Sequence, residues 1–300
     1  MKILIAGATG LIGKELVSKC LNENHTVHYL TTRKGKIKTE NKYKGFYWNP
    51  TQNIIDTAAF EGVEVIVNLA GASVSKKWTK SYKQKIINSR IATAKLLFQF
   101  LKENPNQVRQ YISASGISVY PDSLHELYTE SSTTIAPTFL GEVVEVWEQV
   151  ADQFSEIGIK VVKVRTGIVL DTHEGALPQL IKPIKLNVGA AIGSGKQWQS
   201  WIHVSDIAGI YMHLINEELE GIFNGVSPNP KRNIEMTRII AKYLGKKLWL
   251  PKVPAFVLRI VLGERSGLVL ESQLVSSEKI QNTGYTFQYI NLENAIEDLL

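Results

Sequence analysis

Near the N-terminus, Gly7-Ala8-Thr9-Gly10-Leu11-Ile12-Gly13 carries a glycine at every third position. Such spacing lets the backbone turn tightly and lets a bulky anion approach where side chains would block it. A helix starting at the turn would aim its free N–H groups at the same anion. Residues 2–6 (KILIA) read as a buried strand and 10–22 as the following helix, which is the context a dinucleotide pyrophosphate requires. The third glycine then lets helix and strand pack closely. The candidate cradle is Gly7, Thr9, Gly10, Leu11, Ile12 and Gly13.

The end of the second strand, 26–31, decides which dinucleotide. NAD binders usually place an acid there to bond the adenosine ribose. This chain has Thr31-Thr32-Arg33-Lys34, and its next acid is Glu40. A guanidinium matches a 2′-phosphate by charge and paired hydrogen bonds, whereas an acid would repel it. Thr32 and Arg33 therefore point to NADP(H) in preference to NAD(H). Lys34, Lys36, Lys38, Lys42 and Lys44 read as a solvated polar loop over 33–45.

The elements that must position these groups follow from composition and periodicity. With 44% apolar and 21% charged side chains in 300 residues, the chain has enough apolar area for a globular core. Thirty-four basic against 28 acidic residues give a thinly spread +6, which argues against nucleic-acid binding. The single cysteine, Cys20, excludes an intramolecular disulfide and a cysteine zinc site. The best apolar run, 253–263, is too short to span a bilayer and contains Arg259, so no membrane partner is expected. The N-terminal apolar stretch is broken by glycines and lacks a cleavage site. A cytoplasmic protein is expected.

Short β-branched runs alternate with helical patterns through the first two-thirds, predicting a doubly wound, Rossmann-like parallel sheet. Strands are read at 63–69, 108–114 and 159–165, and helices at 79–103 and 139–157. Phe139, Val143, Val146, Trp147, Val150 and Phe154 give the latter helix one apolar face. Residues 115–137 read as a long loop, and 206–217 as a helix with Asp206 as its cap. The expected organisation is a cofactor domain over 1–165, completed by elements from 201–232, and a smaller substrate-binding lobe over 166–300.

Taken together, these residues resemble an atypical extended short-chain dehydrogenase/reductase of the NAD(P)-dependent sugar-nucleotide epimerase-like family, some members of which carry a cell-division-inhibitor label. The resemblance covers nearly the whole chain. It rests on the glycine motif, Asn68-Leu69-Ala70-Gly71, Trp78 with Ser89-Arg90, Trp147-Glu148 and Arg165-Thr166-Gly167-Ile168-Val169-Leu170. Its most specific parts are GSGKQWQSWIHVSD (193–206) and the block with VPAFVLR, Gly263-Glu264 and Gly284-Tyr285. By this resemblance Leu69, Ala70 and Gly71 pass beside the dinucleotide, and Val169 approaches the nicotinamide end. Arg90 either reaches a phosphate or ribose or is a surface helix charge.

The same resemblance exposes a departure. Short-chain dehydrogenases move protons with Ser, Tyr and Lys, the last two as Tyr-x-x-x-Lys, the lysine lowering the phenol's pKa. Here Thr138 and Glu142 stand at those positions in this reading, so the usual relay is absent. Ser115 matches the serine that meets the substrate carbonyl, or else makes a local backbone bond. Tyr120 reads as a packing residue, and His203 as an ordered polar residue near the lobe junction. Trp78, Trp198 and Trp201, among six tryptophans, line a pocket or pack the core. Lys76, Lys77, Lys80, Lys83 and Lys85 attract a phosphate-bearing substrate or form a solvated face. No metal motif and no hydrolase elbow is present. Two readings result: an NADP(H)-dependent oxidoreductase or epimerase-like enzyme with a small, phosphorylated or nucleotide-linked substrate, or a catalytically silent NADP(H)-binding regulatory or scaffold protein.

Overall fold

The computed structural model describes residues 1–300. Seven parallel strands form its centre: β1 (Lys2–Ala6), β2 (Thr26–Thr31), β3 (Tyr43–Asn49), β4 (Val65–Asn68), β5 (Gln110–Gly116), β6 (Lys160–Thr166) and β7 (Gly221–Gly225). Their order across the sheet is β7-β6-β5-β4-β1-β2-β3. Two short antiparallel strands, Thr39–Glu40 and Ile54–Ile55, pair with β3 to make nine. The helices are α1 (Leu11–Asn22), α2 (Lys80–Glu103), α3 (Phe139–Asp152), α4 (Leu177–Lys185), α5 (Val204–Asn216), α6 (Asn233–Tyr243) and α7 (Ala255–Leu262), with shorter turns and a C-terminal helix, Leu292–Leu299. None is long and apolar enough to cross a membrane.

Alternation along β1 explains the layers, because successive side chains in a strand face opposite ways. Ile3 and Ile5 join one core with Leu16 and Cys20 of α1 and Ile207, Tyr211 and Leu214 of α5. Leu4 and Ala6 join the other, with Leu97 and Leu101 of α2 and Ala151 and Phe154 near α3. Both faces are covered, as a parallel sheet requires, and the expected Rossmann-like fold is present. Residues beyond Arg165 supply both β7 and α5, and a separate small core gathers Leu177, Ile181, Trp201, Met236, Ile240 and Ile296.

The element boundaries differ most from expectation in four places. Residues 43–45 belong to strand β3 rather than to the polar loop, because Phe46 and Trp48 alternate into the core behind Lys44. β5 extends to Gly116, so the following loop starts later and contains the turn Ile117–Val119 and the short strand Leu127–Tyr128. α3 ends at Asp152 and tightens into a 3₁₀ turn, Gln153–Ile157. α5 begins at Val204, not behind Asp206; its cap is His203, whose Nδ1 accepts the Ser205 N–H (3.1 Å).

Asp206 has a different task. Buried in the first turn of α5, its carboxylate accepts the Tyr285 hydroxyl (3.0 Å) and the N–H groups of Gln288 (2.8 Å) and Tyr289 (2.9 Å). It fastens the C-terminal segment to the sheet domain. Removing the acceptor strands these donors, each costing about 1–3 kcal/mol when buried. Asp206→Ala is expected to destabilise the protein by roughly 3 kcal/mol or more, read as a lowered urea midpoint with an unchanged far-UV spectrum in buffer.

Candidate functional site

The glycine turn joins β1 to α1 at the point where the strand order reverses, between β1 and β4. Gly7 has a left-handed φ of +88°, and a Cβ placed on it would lie 2.9 Å from the Leu69 carbonyl carbon. A Cβ on Gly13 would lie 2.2 Å from the Gly7 carbonyl oxygen. Any larger residue at either place would force the turn, the helix and the Leu69-Ala70 segment apart. Gly10 is the cap residue of the twelve-residue α1, whose first turn contains no acid. The helix therefore presents its first N–H groups and the positive end of its dipole without a local counter-charge. Asn68 holds the facing segment in place, its Oδ1 accepting the Ala70 N–H (3.1 Å) while its Nδ2 donates to Tyr111 OH (3.0 Å).

At the end of β2, Thr31 is buried and its Oγ1 accepts the Arg33 N–H (3.2 Å). Thr32 and Arg33 are exposed, and the Arg33 guanidinium has no carboxylate partner. Glu40 pairs instead with Lys38 (4.0 Å), and Lys34 lies over the Tyr47 ring. Arg33, Lys34 and Lys36, the cations at the tip of β2, therefore have no carboxylate partner.

Arg90 is not a surface charge. It is 8% exposed, its guanidinium stacks on Trp147 (4.5 Å), and Nη1 donates to the carbonyls of Ala72 (3.2 Å) and Ile86 (3.0 Å). Its Nε is buried without a partner, and burial lowers the guanidinium pKa to about 10. A Cβ on Gly71 would come within 3.2 Å of Arg90 Cζ, so the glycine is what lets this cation reach the strand end. The neighbouring Ser89 Oγ accepts the Ala72 N–H (2.9 Å). Ser89-Arg90 thereby pins the loop that follows β4. Val169 lies in the short strand Ile168–Leu170, and the loop after it returns over α1, where Lys14 pairs with Glu174 (2.6 Å).

Ser115 ends in a buried polar network that joins residues far apart in sequence. Its hydroxyl donates to Glu148 Oε1 (2.6 Å). Arg165 grips the same carboxylate through Nε and Nη2 (both 2.8 Å) and donates through Nη1 to Tyr120 OH (3.0 Å). Tyr120 in turn donates to Asn224 Oδ1 (2.8 Å). Burial favours the neutral acid at Glu148, but the Arg165 hydrogen bonds and charge win and hold its pKa below the usual carboxylate range. Tyr120 is pushed the other way, chiefly by burial. It is a member of the network rather than a simple packing residue, as are Glu148 and Arg165, whose pairing no local spacing announces.

Thr138 and Glu142 do not face this network. Thr138 caps α3, its hydroxyl accepting the Gly141 N–H (3.2 Å), and Glu142 is exposed. The buried face of α3 carries Leu140 and Val144, one turn apart, and a Cβ on Gly116 would meet Val144 Cγ2 at 3.6 Å. An apolar side chain, Val144, thus stands beside the end of β5. Glu142 lines an open recess of about 760 Å³ between the starts of α2 and α3 with Lys80, Lys83, Phe139 and Glu264. Lys83 is ion-paired there with Glu264, a partner from the distant C-terminal lobe. Trp78 packs edge-on against Phe139, Trp201 is fully buried, and Trp198 receives Arg232 over its ring.

The NAD dependent epimerase/dehydratase family profile matches residues 3–225, and a domain of unknown function (DUF1731) matches 253–299. Epimerase family protein SAR0825 of Staphylococcus aureus (strain MRSA252) is 35% identical over 300 residues, which cover 99% of this chain and 98% of that protein. Human epimerase family protein SDR39U1 (isoform 2), in a crystal structure with NADPH, is similar with a TM-score of 0.86 at 27% identity, covering 100% of this chain and 99% of that one. The nucleoside-diphosphate sugar epimerase from Corynebacterium glutamicum is similar with a TM-score of 0.79 at 28% identity; the match covers 99% of this chain and 57% of that one.

The buried pair makes a stability prediction. Arg165→Met leaves Glu148 ionised without its counter-charge and is expected to cost about 3–5 kcal/mol in urea unfolding, part of which Glu148→Leu recovers in the double variant. The pH dependence has a definite sign. Folding depresses the Glu148 pKa, so the pair's contribution is complete above the unfolded value of about 4.3 and is lost as pH falls through the lower folded value. Glu148→Gln should therefore flatten the acid side of a plot of Tm against pH.

Proposed function

The chain belongs to the NAD dependent epimerase/dehydratase family, and on that premise we propose that it is an NADP(H)-dependent oxidoreductase or epimerase-like enzyme acting on a small, nucleotide-linked substrate. The observation that carries this reading is the side-chain-free cradle of Gly7 and Gly13 beneath an uncapped helix start, with the unpaired Arg33 at the tip of the next strand. The NADPH named with the human relative supports the cofactor, and the sugar-nucleotide activity in the Corynebacterium protein's name supports the substrate class.

The residues fit such a cofactor. Gly7, Thr9, Gly10, Leu11, Ile12 and Gly13 would hold the pyrophosphate, and Thr32 and Arg33 the adenosine 2′-phosphate. Leu69, Ala70 and Gly71 would border it, with Arg90 supplying a buried positive charge that no protein acid satisfies. Val169 would lie toward the nicotinamide. Bound NADP(H) supplies a carbon that gives or accepts a hydride. Residues 1–165 with α5 and β7 would form the cofactor domain, and 166–300 the substrate lobe. A cytoplasmic location suits the single buried cysteine.

Ser115 enters this reading with a changed role. Its proton is engaged by Glu148, so what it offers a substrate is a lone pair, which accepts from a hydroxyl. Donation to a carbonyl would require breaking a hydrogen bond to a carboxylate. The second reading, an NADP(H)-binding regulatory or scaffold protein without turnover, is favoured by Leu140 and Val144 on the buried face of α3, where neither a phenol nor an ammonium stands.

Titration with NADPH and NADH, followed by nicotinamide fluorescence, tests the cofactor assignment. Arg33→Ala is expected to weaken NADPH binding roughly ten- to a hundredfold, since a hydrogen bond to a charged group contributes about 1.5–3 kcal/mol, and to leave NADH binding unchanged. An equal response to both cofactors would remove Arg33 from the site. Ser115→Ala then separates the two readings on a panel of nucleotide sugars: the enzyme loses turnover and keeps NADPH, whereas the regulator shows no turnover in either form.

A further inference from the structure

The charge of this chain is unevenly placed. Residues 177–200 carry three basic side chains and no acid, and residues 231–263 carry eight against one. Together these segments are +10, so the rest of a chain totalling +6 is −4. The one acid, Glu235, is engaged with the Arg232 N–H at the start of α6 (2.8 Å).

The two segments also meet in space. Trp249 Nε1 donates to the Asn187 carbonyl (3.0 Å), and Lys252 Nζ to that of Ser194 (2.8 Å). Between them, the Val253 N–H donates to Ala191 O and the Gly193 N–H to Val253 O (both 2.9 Å). α7 continues directly from this ribbon, behind Pro254.

Large apolar side chains stand in the open on the same ribbon and helix. None of the eight residues of α7 (AFVLRIVL) is buried. Phe256 and Ile260, one turn apart on one helix face, are 63% and 78% exposed, and Val261 is 68% exposed. Trp249, Leu186 and Val188 are 70%, 63% and 52% exposed. Scattered exposed hydrophobes are ordinary, but a group of this size on adjoining segments marks a contact surface. Lys182, Lys185, Lys246, Lys247, Lys252 and Arg259 lie on the same segments, and none of them forms an ion pair.

We propose that this face of the C-terminal lobe docks on an anionic lipid surface, with Trp249, Phe256, Ile260 and Val261 entering the headgroup boundary and the lysines meeting lipid phosphates. Apolar side chains with a basic surround are the composition of an interfacial anchor. A second copy of the chain would oppose one strongly basic face to another. A nucleic acid would satisfy the lysines but leave Ile260 and Val261 against phosphates. The absence of a spanning segment, which argued against a membrane partner from the sequence, is no obstacle to peripheral docking.

Flotation with phosphatidylcholine vesicles, with and without phosphatidylglycerol, tests the proposal on the full chain. Binding is expected only with phosphatidylglycerol, weakening as salt rises. Lys247→Gln should reduce it about five-fold. Ile260→Asp should reduce it roughly tenfold or more. Both positions are exposed, so far-UV spectra and Tm should be unchanged, and a lipid-induced blue shift in tryptophan emission should shrink in Trp249→Phe. Failure to bind the anionic vesicles at low salt would overturn the proposal, as would binding that Ile260→Asp leaves intact. So would a lipid-free dimer that Ile260→Asp dissociates, or duplex DNA held more tightly than the vesicles.

Discussion

Two opposite charges, Arg165 and Glu148, lie beneath the rim of the sheet where water cannot solvate them. Either alone would be costly, and their attraction repays the desolvation only because each remaining polar site is also engaged. Glu148 takes the Ser115 hydroxyl as well as both arms of the guanidinium, and Arg165 reaches on to Tyr120 and through it to Asn224. The network therefore joins α3, β5, β6 and β7 at the ends of the strands. It also fixes which way the Ser115 proton points. The rim is shaped by a pair that first of all holds a helix against a sheet.

The strand ends nearer the glycine turn carry positive charge without ion-pair partners. The start of α1 carries no acid, Arg33 has no ion-pair partner, and Arg90 is buried against carbonyls and an indole. These groups come from three separate elements, yet all stand at the C-terminal ends of neighbouring strands or against the loops leaving them. Glycines at positions 7, 13 and 71 keep the backbone low enough for the approach. A parallel sheet concentrates such groups because every strand delivers its following loop to the same edge.

How much of this was legible in the sequence follows from how local each cause is. The glycine turn was readable because its strand, turn and helix are consecutive. The position of Arg33 just past β2 is readable because it follows that unit at a set distance. β3 has a weak signature because lysines and a glycine surround its inward pair, Phe46 and Trp48, whose alternation is its local signal. The burial of Arg90 depends on Trp147, and the proton of Ser115 on Glu148, a partner 33 positions away, so neither has a local signature. Thr138 and Glu142 take the Tyr and Lys positions only by the family resemblance. The twist of the helix puts Thr138 at its cap and Glu142 on the solvent side.

The placement of β7 has a consequence for how the chain is made. β6 emerges with the run VVKV ready to pair on both sides, but its outer neighbour, Gly221–Gly225, follows only after α4, the loops around it and α5 have been synthesised. During that interval β6 is an open, apolar edge beside a nearly complete sheet, the kind of template on which another chain can add. Pairing β7 with β6 also closes a long loop, which places it among the slower steps of assembly. The growing chain is therefore most exposed to aggregation before its last parallel strand is in place, and a truncation within the excursion would make that vulnerable edge permanent.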